Sequence, residues 1–307
     1  MPEPKERRRW LRAQPAQPEL QPQQGTADAG DVAQEDVVQP AEAGANTPAR
    51  PASHWSVPRL PVPALDVAQV ESLLLTTVQI TTLLGGNVLT RASGSFFRRD
   101  DRLFLVTSRH VLIDPESGHL PDAIEIGVHT AAADLARSAP VRFPLYAEGR
   151  GLWRQGRDHG GEIDVAVLEV QRGLLPPTAV LHAFGPEHLL SSLSAAEVGL
   201  PVLLVGFPLG FHDTLHHLPV VRHAIIASSF GLRFQGQGCF LTDGRAHRGS
   251  SGAPVVMRSG ETPAALPWKL LGVHSSRFDM GGRDMAQDES LGLNCAWYAD
   301  ILLTLTG

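Results

Sequence analysis

The chain has 307 residues and sets 26 Lys and Arg against 32 Asp and Glu, for a formal net charge of -6. That length provides a sizeable core, and that charge balance excludes nucleic acid as the main partner. Cys239 and Cys295 are too few for a disulfide framework and lie in no metal-binding spacing, so they read as buried thiols with no metal role.

Residues 1-63 hold 11 of the 24 prolines, with Gln, Ala and Glu between them. Such a segment cannot bury enough apolar area to offset its ordering entropy, so a disordered tail is expected there. Its arginines are followed by Gln, Pro and Ala where a secretory signal needs an apolar core. The longer apolar stretches, such as "LPVLLVGFPLGF", are broken by Gly and Pro before the length a bilayer requires. A cytoplasmic protein without membrane contact is therefore expected.

From residue 64 short runs rich in Val, Leu, Ile, Phe and Thr alternate with Gly, Pro, Asp and Asn: "LLLTTVQITTLLGG", "ASGSFFRRDDRLFLVTSRHVL", "EIDVAVLEV", "HAIIASSFG", "GAPVVM" and "KLLGVHSS". Short strands at turn-punctuated intervals predict an all-β barrel or sandwich. Helical spacing of apolar residues occurs only in "PEHLLSSLSAAEV" and in the C-terminal "AWYADILLTLT". No repeat of solenoid period is present.

Three stretches carry chemistry. "RLFLVTSRHVL" reads as a β run ending at His110. "GEIDVAVLEV" places Asp164 at the start of an apolar strand, where a partly buried carboxylate requires a donor. "HRGSSGAPVV" sets Ser250 and Ser251 between glycines, which is ordinary turn chemistry taken alone. A serine hydroxyl becomes a nucleophile only beside a base, and the base needs a carboxylate to fix its tautomer. The chain supplies one candidate for each role, in the order His, Asp, Ser.

"LVTSRHV", "DVAVLEV" and "GSSGAP", together with "VGFPLG" and "LLGVHSS", resemble the motifs of the chymotrypsin-like serine peptidases. The nearest likeness is to bacterial trypsin-like peptidases related to the HtrA and glutamyl endopeptidase groups, over Leu73 to the end. The resemblance implies an all-β fold of two six-stranded antiparallel barrels, over 64-190 and 191-307, with the cleft between them. A terminal helix near 296-305 would pack on the second barrel. It further implies that Ser251 is the nucleophile, His110 the base and Asp164 the group that orients it. The N–H groups of Gly249 and Ser251 would form the oxyanion hole, and Ser275 would donate a hydrogen bond to the catalytic carboxylate. Ser250 stands where trypsin has an aspartate that pairs with a newly freed amino terminus. A neutral serine cannot hold that ammonium, so activation by such a cleavage is not expected.

By the same resemblance the substrate is a protein or peptide lying extended along the cleft, and no cofactor or metal is called for. The specificity pocket would be walled by Arg245, Ala246, His247 and Arg248 on one side and by His274, Ser276 and Arg277 on the other. Cationic and hydrogen-bonding groups favour a negative side chain before the scissile bond, and glutamyl endopeptidases bind glutamate with a histidine at the position of His274. A small or aliphatic preference is the alternative. The rival to an active enzyme is a latent or inactive peptidase-fold protein that binds peptides or requires a regulatory protein partner. Two further stretches stay outside this scheme. "FHDTLHHLP", with His212, Asp213, His216 and His217, reads as a loop because Gly and Pro flank it, and "RFDMGGRDMAQDES", with Asp279, Asp284, Asp288 and Glu289, reads as a solvated hairpin.

Overall fold

A computed structural model describes residues 66-263, 265-277 and 292-307. The tail expected over 1-63 and the acidic hairpin at Asp279, Asp284, Asp288 and Glu289 lie outside the described residues. The first half of the fold begins with β1 (Thr77–Leu84) and β2 (Asn87–Arg99), joined through Gly85 and Gly86. Both glycines have positive φ, as the two-residue turn that follows the natural strand twist requires. Next come β3 (Arg102–Thr107), one helical turn α1 (Arg109–Leu112), β4 (Ala123–His129) and β5 (Ser138–Pro144). A small hairpin of β6 (Tyr146–Ala147) and β7 (Arg150–Gly151) leads to β8 (Trp153–Asp158) and β9 (Gly161–Glu169). All but that hairpin pair antiparallel in the order β5-β4-β1-β2-β3-β9-β8. Seven strands thus stand where six were expected, because β8 adds beyond β9 with Trp153 opposite Leu168. Alternation drives the packing: Ile124, Ile126 and Val128 of β4 all point inward and meet Ile80, Phe96 and Leu105 in one core.

The second half is a closed barrel of β10 (Pro201–Gly206), β11 (Val220–Ile226), β12 (Cys239–Asp243), β13 (Pro254–Arg258), β14 (Trp268–Arg277) and β15 (Leu293–Tyr298), in the order β10-β11-β12-β15-β14-β13. Closure leaves no open sheet edge, and Leu204, Ile226, Phe240, Val255 and Leu271 fill the interior. A third cluster joins the halves. Phe97, Phe104 and Val167 of the first sheet pack with Val256, Leu270, Val273 and Trp297 of the barrel, and with Phe184 of the segment between them. No helix among the described residues is long and apolar enough to cross a membrane.

Three local expectations are corrected. "PEHLLSSLSAAEV" forms no α-helix but two 3₁₀ turns, Pro186–His188 and Leu193–Ala195. There the Ser192 hydroxyl accepts the Ser194 amide, the local competition by which serine undermines helices. The C-terminal helix, α2 (Ile301–Leu305), is shorter than 296-305 because Ala296 and Trp297 pair as strand with Phe240 and Cys239. It packs chiefly on β8 and β9 of the first half, while Leu302 and Leu305 share the seam cluster with Trp297 of the second barrel. Its carbonyl end explains why: Arg154 of β8 donates to the carbonyls of Leu305 and Gly307, and Arg102 to that of Thr306, so cations meet unsatisfied carbonyls. Finally, the β run ends at Thr107, and His110 sits inside α1.

Phe184 is fully buried, and its backbone bonds to Phe96 and Arg98 on β2. Phe184→Ala is expected to lower the unfolding free energy by about 3–5 kcal/mol in denaturant titration. A single transition should remain, since the seam makes both halves one cooperative unit.

Candidate active site

α1 and β9 deliver the first pair of groups. β3 pairs with β9 only as far as Thr107 opposite Ala166, so Asp164 lies beyond the paired stretch and faces α1. Its carboxylate takes two bonds from one residue: the His110 amide reaches Oδ1 at 2.9 Å and Nδ1 lies 2.7 Å from Oδ2. A carboxylate accepts only, so the imidazole proton sits on Nδ1 and Nε2 is left as an acceptor. Ser275 of β14 donates its hydroxyl to the same Oδ2, across from the other half of the fold.

The electrostatics follow from this crowding. Burial by itself would lower the His110 pKa, but the hydrogen bond and charge of Asp164, joined by the charge of Asp114, outweigh it and the nearby Arg109. The net displacement is upward from the ordinary histidine value. Burial would raise Asp164, yet the hydrogen bond and charge of His110, the Ser275 hydroxyl and the His110 amide hold it below the ordinary carboxylate range.

The serine-bearing turn is pinned from outside its own barrel. Ser93, fully buried in β2, donates its amide to the Ser251 carbonyl at 2.9 Å and its hydroxyl to the Gly249 carbonyl at 2.8 Å. The same hydroxyl accepts the Phe207 amide at 3.0 Å, and the Ser93 carbonyl accepts Thr107 Oγ1 at 2.8 Å. Gly252 has φ +85°, and a Cβ there would fall 2.2 Å from both the Ser93 carbonyl and Thr107 Oγ1. Gly249 has φ +89°, and its Cβ would fall 2.5 Å from the Phe207 carbonyl. Only glycine satisfies both the backbone angle and the close approach. Among the described residues the N–H groups of Gly249 and Ser251 have no hydrogen-bond partner. The Ser251 hydroxyl donates to the Ser275 carbonyl at 3.1 Å.

His110, Asp164, Ser251, Ser275 and Gly249 are therefore gathered at one seam. His274 is buried beside them: its carbonyl accepts the Gly252 amide at 2.7 Å and its amide reaches Ala253 at 2.8 Å. The other expected pocket residues differ in exposure. Arg245 is exposed, Ser276 is exposed at a bulge opposite Cys295, and His247 buries an Nδ1 that has no hydrogen-bond partner among the described residues. Arg277 ends β14 opposite Asn294. The residue that motif reading missed is Ser93. Its one signal was the run of small residues "ASGS" ahead of Phe96, the mark of a strand that another backbone approaches closely.

The histidine-rich stretch is a loop between β10 and β11. His216 Nδ1 bonds Asp213 at 2.7 Å, and His129 Nε2 bonds the His216 carbonyl at 2.6 Å. Among the described residues no cluster could hold a metal ion. Cys239 and Cys295 are free and buried.

The family model for the trypsin-like peptidase domain matches residues 92-263. Among solved structures, a serine endoprotease from Yersinia pestis is similar, with a TM-score of 0.47 and 16% identity. The match covers 80% of this chain, which spans 66% of that protein. No curated protein matches.

Titration of the His110 ring followed by NMR should give a midpoint above the ordinary histidine value. In Asp164→Asn the midpoint should fall, because burial is then opposed only by the more distant Asp114. An unchanged midpoint would mean that Asp164 does not set the charge of the ring.

Proposed function

Because the chain belongs to the trypsin-like peptidase domain family, a family of serine hydrolases acting on proteins or peptides, we propose that it is an endopeptidase working through Ser251, His110 and Asp164. The observation that carries this reading is the double bond of Asp164 to His110, which leaves Nε2 free to accept a proton. Ser251 gives its hydroxyl proton to Nε2 as Oγ attacks the peptide carbonyl, and the imidazolium passes that proton to the leaving amine. Water then hydrolyses the acyl-enzyme, with His110 again taking and returning the proton. The N–H groups of Gly249 and Ser251 are the donors for the oxyanion, and loss of one such donor costs on the order of a hundredfold or more in rate. Asp164 keeps Nδ1 protonated and stabilises the imidazolium. Ser275 supplies the buried carboxylate with a further donor.

The hydrogen bond from Ser251 to the Ser275 carbonyl bears on the rival reading of a latent enzyme. Attack requires the hydroxyl to leave that carbonyl for Nε2, a tightening that substrate or a partner can bring about. For the residue before the scissile bond we propose an acidic side chain read by His274. Its support is the anchoring of that buried histidine to the turn at Gly252 and Ala253. Matched peptides with Glu or Gln before the bond test it, and equal cleavage removes it.

A fluorophosphonate probe should add once to the wild type and to Ser250→Ala, and not to Ser251→Ala, as read by intact mass. No adduct on folded wild type would leave the latent form as the correct reading. In cleavage assays Asp164→Asn should lower kcat by about 10⁴-fold. The acidic limb of the wild-type kcat/KM profile should lie above the ordinary histidine value, since His110 must be neutral to act and Asp164 favours its charged form. Ser93→Ala should lower kcat by roughly tenfold or more with little change in KM, because it loosens the oxyanion donors and touches no substrate.

A further inference from the structure

A groove of about 550 Å³ opens at His110 and Ser251 and runs away from β14. Its walls are the β1–β2 hairpin, the loop after α1 and Arg248, and no residue of β14 lines it. Granted the peptidase reading, on which this inference rests, β14 borders the chain before the scissile bond. The groove therefore receives the residues after it.

Two arginines line this groove. Arg91 belongs to the first five residues of β2, all exposed, where the hairpin projects past its core. Its stem lies along the Gly210 turn, since a Cβ on Gly210 would sit 3.5 Å from Arg91 Cδ. Arg248 reaches the same turn from the other barrel: its carbonyl accepts the Leu209 amide at 2.6 Å. Arg102, Arg109 and Arg142 are paired with Glu169, Glu162 and Glu125. Arg91 and Arg248 have neither an ion pair nor a side-chain hydrogen bond among the described residues. Arg248, expected to wall the pocket before the bond, also lines this groove.

The groove also holds one carboxylate. Asp114 lies in the loop after α1, close enough for its charge to act on His110, and its carboxylate accepts the Ser117 hydroxyl. A substrate in extended form turns successive side chains to opposite sides. The first residue after the bond falls beside His110 and Asp114, where a second carboxylate is repelled. The next side chain turns toward the arginines. We propose that Arg91 and Arg248 are specificity-determining residues that select Asp or Glu at the second position after the scissile bond, with exposed Leu89 of the hairpin packing on its stem.

The test is digestion of a proteome-derived peptide library, with the new termini read by mass spectrometry, by wild type and by Arg91→Glu/Arg248→Glu. Wild type should enrich Asp and Glu at that second position, with kcat/KM about fivefold higher for Glu than for Gln in matched peptides. The preference should weaken as salt rises. The double variant should prefer Lys and Arg there while keeping the wild-type preference before the bond. Equal cleavage of Glu, Gln and Lys peptides by wild type, or an unchanged preference in the double variant, overturns the proposal. Cleavage with a Ser251 adduct but no acidic preference overturns this inference alone. Neither cleavage nor adduct overturns the peptidase reading, and this one with it.

Discussion

The arrangement hangs on one buried serine in the wrong half of the molecule. Ser93 belongs to the first sheet, yet its amide and hydroxyl hold the carbonyls of Ser251 and Gly249 in the second barrel. With both carbonyls turned toward Ser93, the turn keeps the N–H groups of Gly249 and Ser251 without partners among the described residues. Unpaired donors of this kind are costly to hold in a fold and are tolerated where a reaction uses them. Gly252 and Gly249 are the steric counterpart, since a methyl at either would strike backbone that belongs to the contact. The apolar seam of Phe97, Phe104, Phe184, Val256 and Trp297 supplies the burial that keeps the two halves in register.

A second device crosses the same seam. Asp164 comes from β9 and Ser275 from β14, and the carboxylate between them carries both the His110 amide and the His110 ring. A partly buried carboxylate keeps its charge only when several donors meet it, and here three do. The His110 ring is thereby oriented within the first half, and the carboxylate that holds it receives its last donor from the second. Neither half alone contains a complete set of groups.

How much of this was legible follows from where the information sits. His110, Asp164 and Ser251 lie in short stretches whose neighbours are constrained as tightly as they are: a strand running into a turn, an apolar strand, a glycine turn. Their order and flanks are what made them candidates. Ser93 was hidden because a small polar residue in a strand has many innocent explanations, and its role exists only through contacts with Gly249 and Ser251, more than 150 positions away. α2 was misplaced for a related reason. Apolar spacing shows that a segment has a face to bury, but Arg102 and Arg154 on the first sheet decide where it is buried. Arg245 stands next to Ala246 in sequence, yet one is exposed and the other buried, so position in the motif does not show which of them faces a substrate.

Ser250 shows what kind of control such a site admits. A charged residue at this place could draw the turn into shape by pairing with an ammonium freed elsewhere. Ser250 is buried and neutral, and its backbone spans only from His247 to Ala253. The shape of the turn therefore comes from neutral hydrogen bonds reaching across the seam, from Ser93 and from the Leu209 amide to Arg248. Each such bond is worth on the order of 1 kcal/mol, so a shift of the Phe207–Gly210 segment or of β2 by a fraction of an ångström is enough to loosen the donors. The same segment lies against the stem of Arg91, so β2 meets the serine-bearing turn both directly, through Ser93, and through Phe207–Gly210.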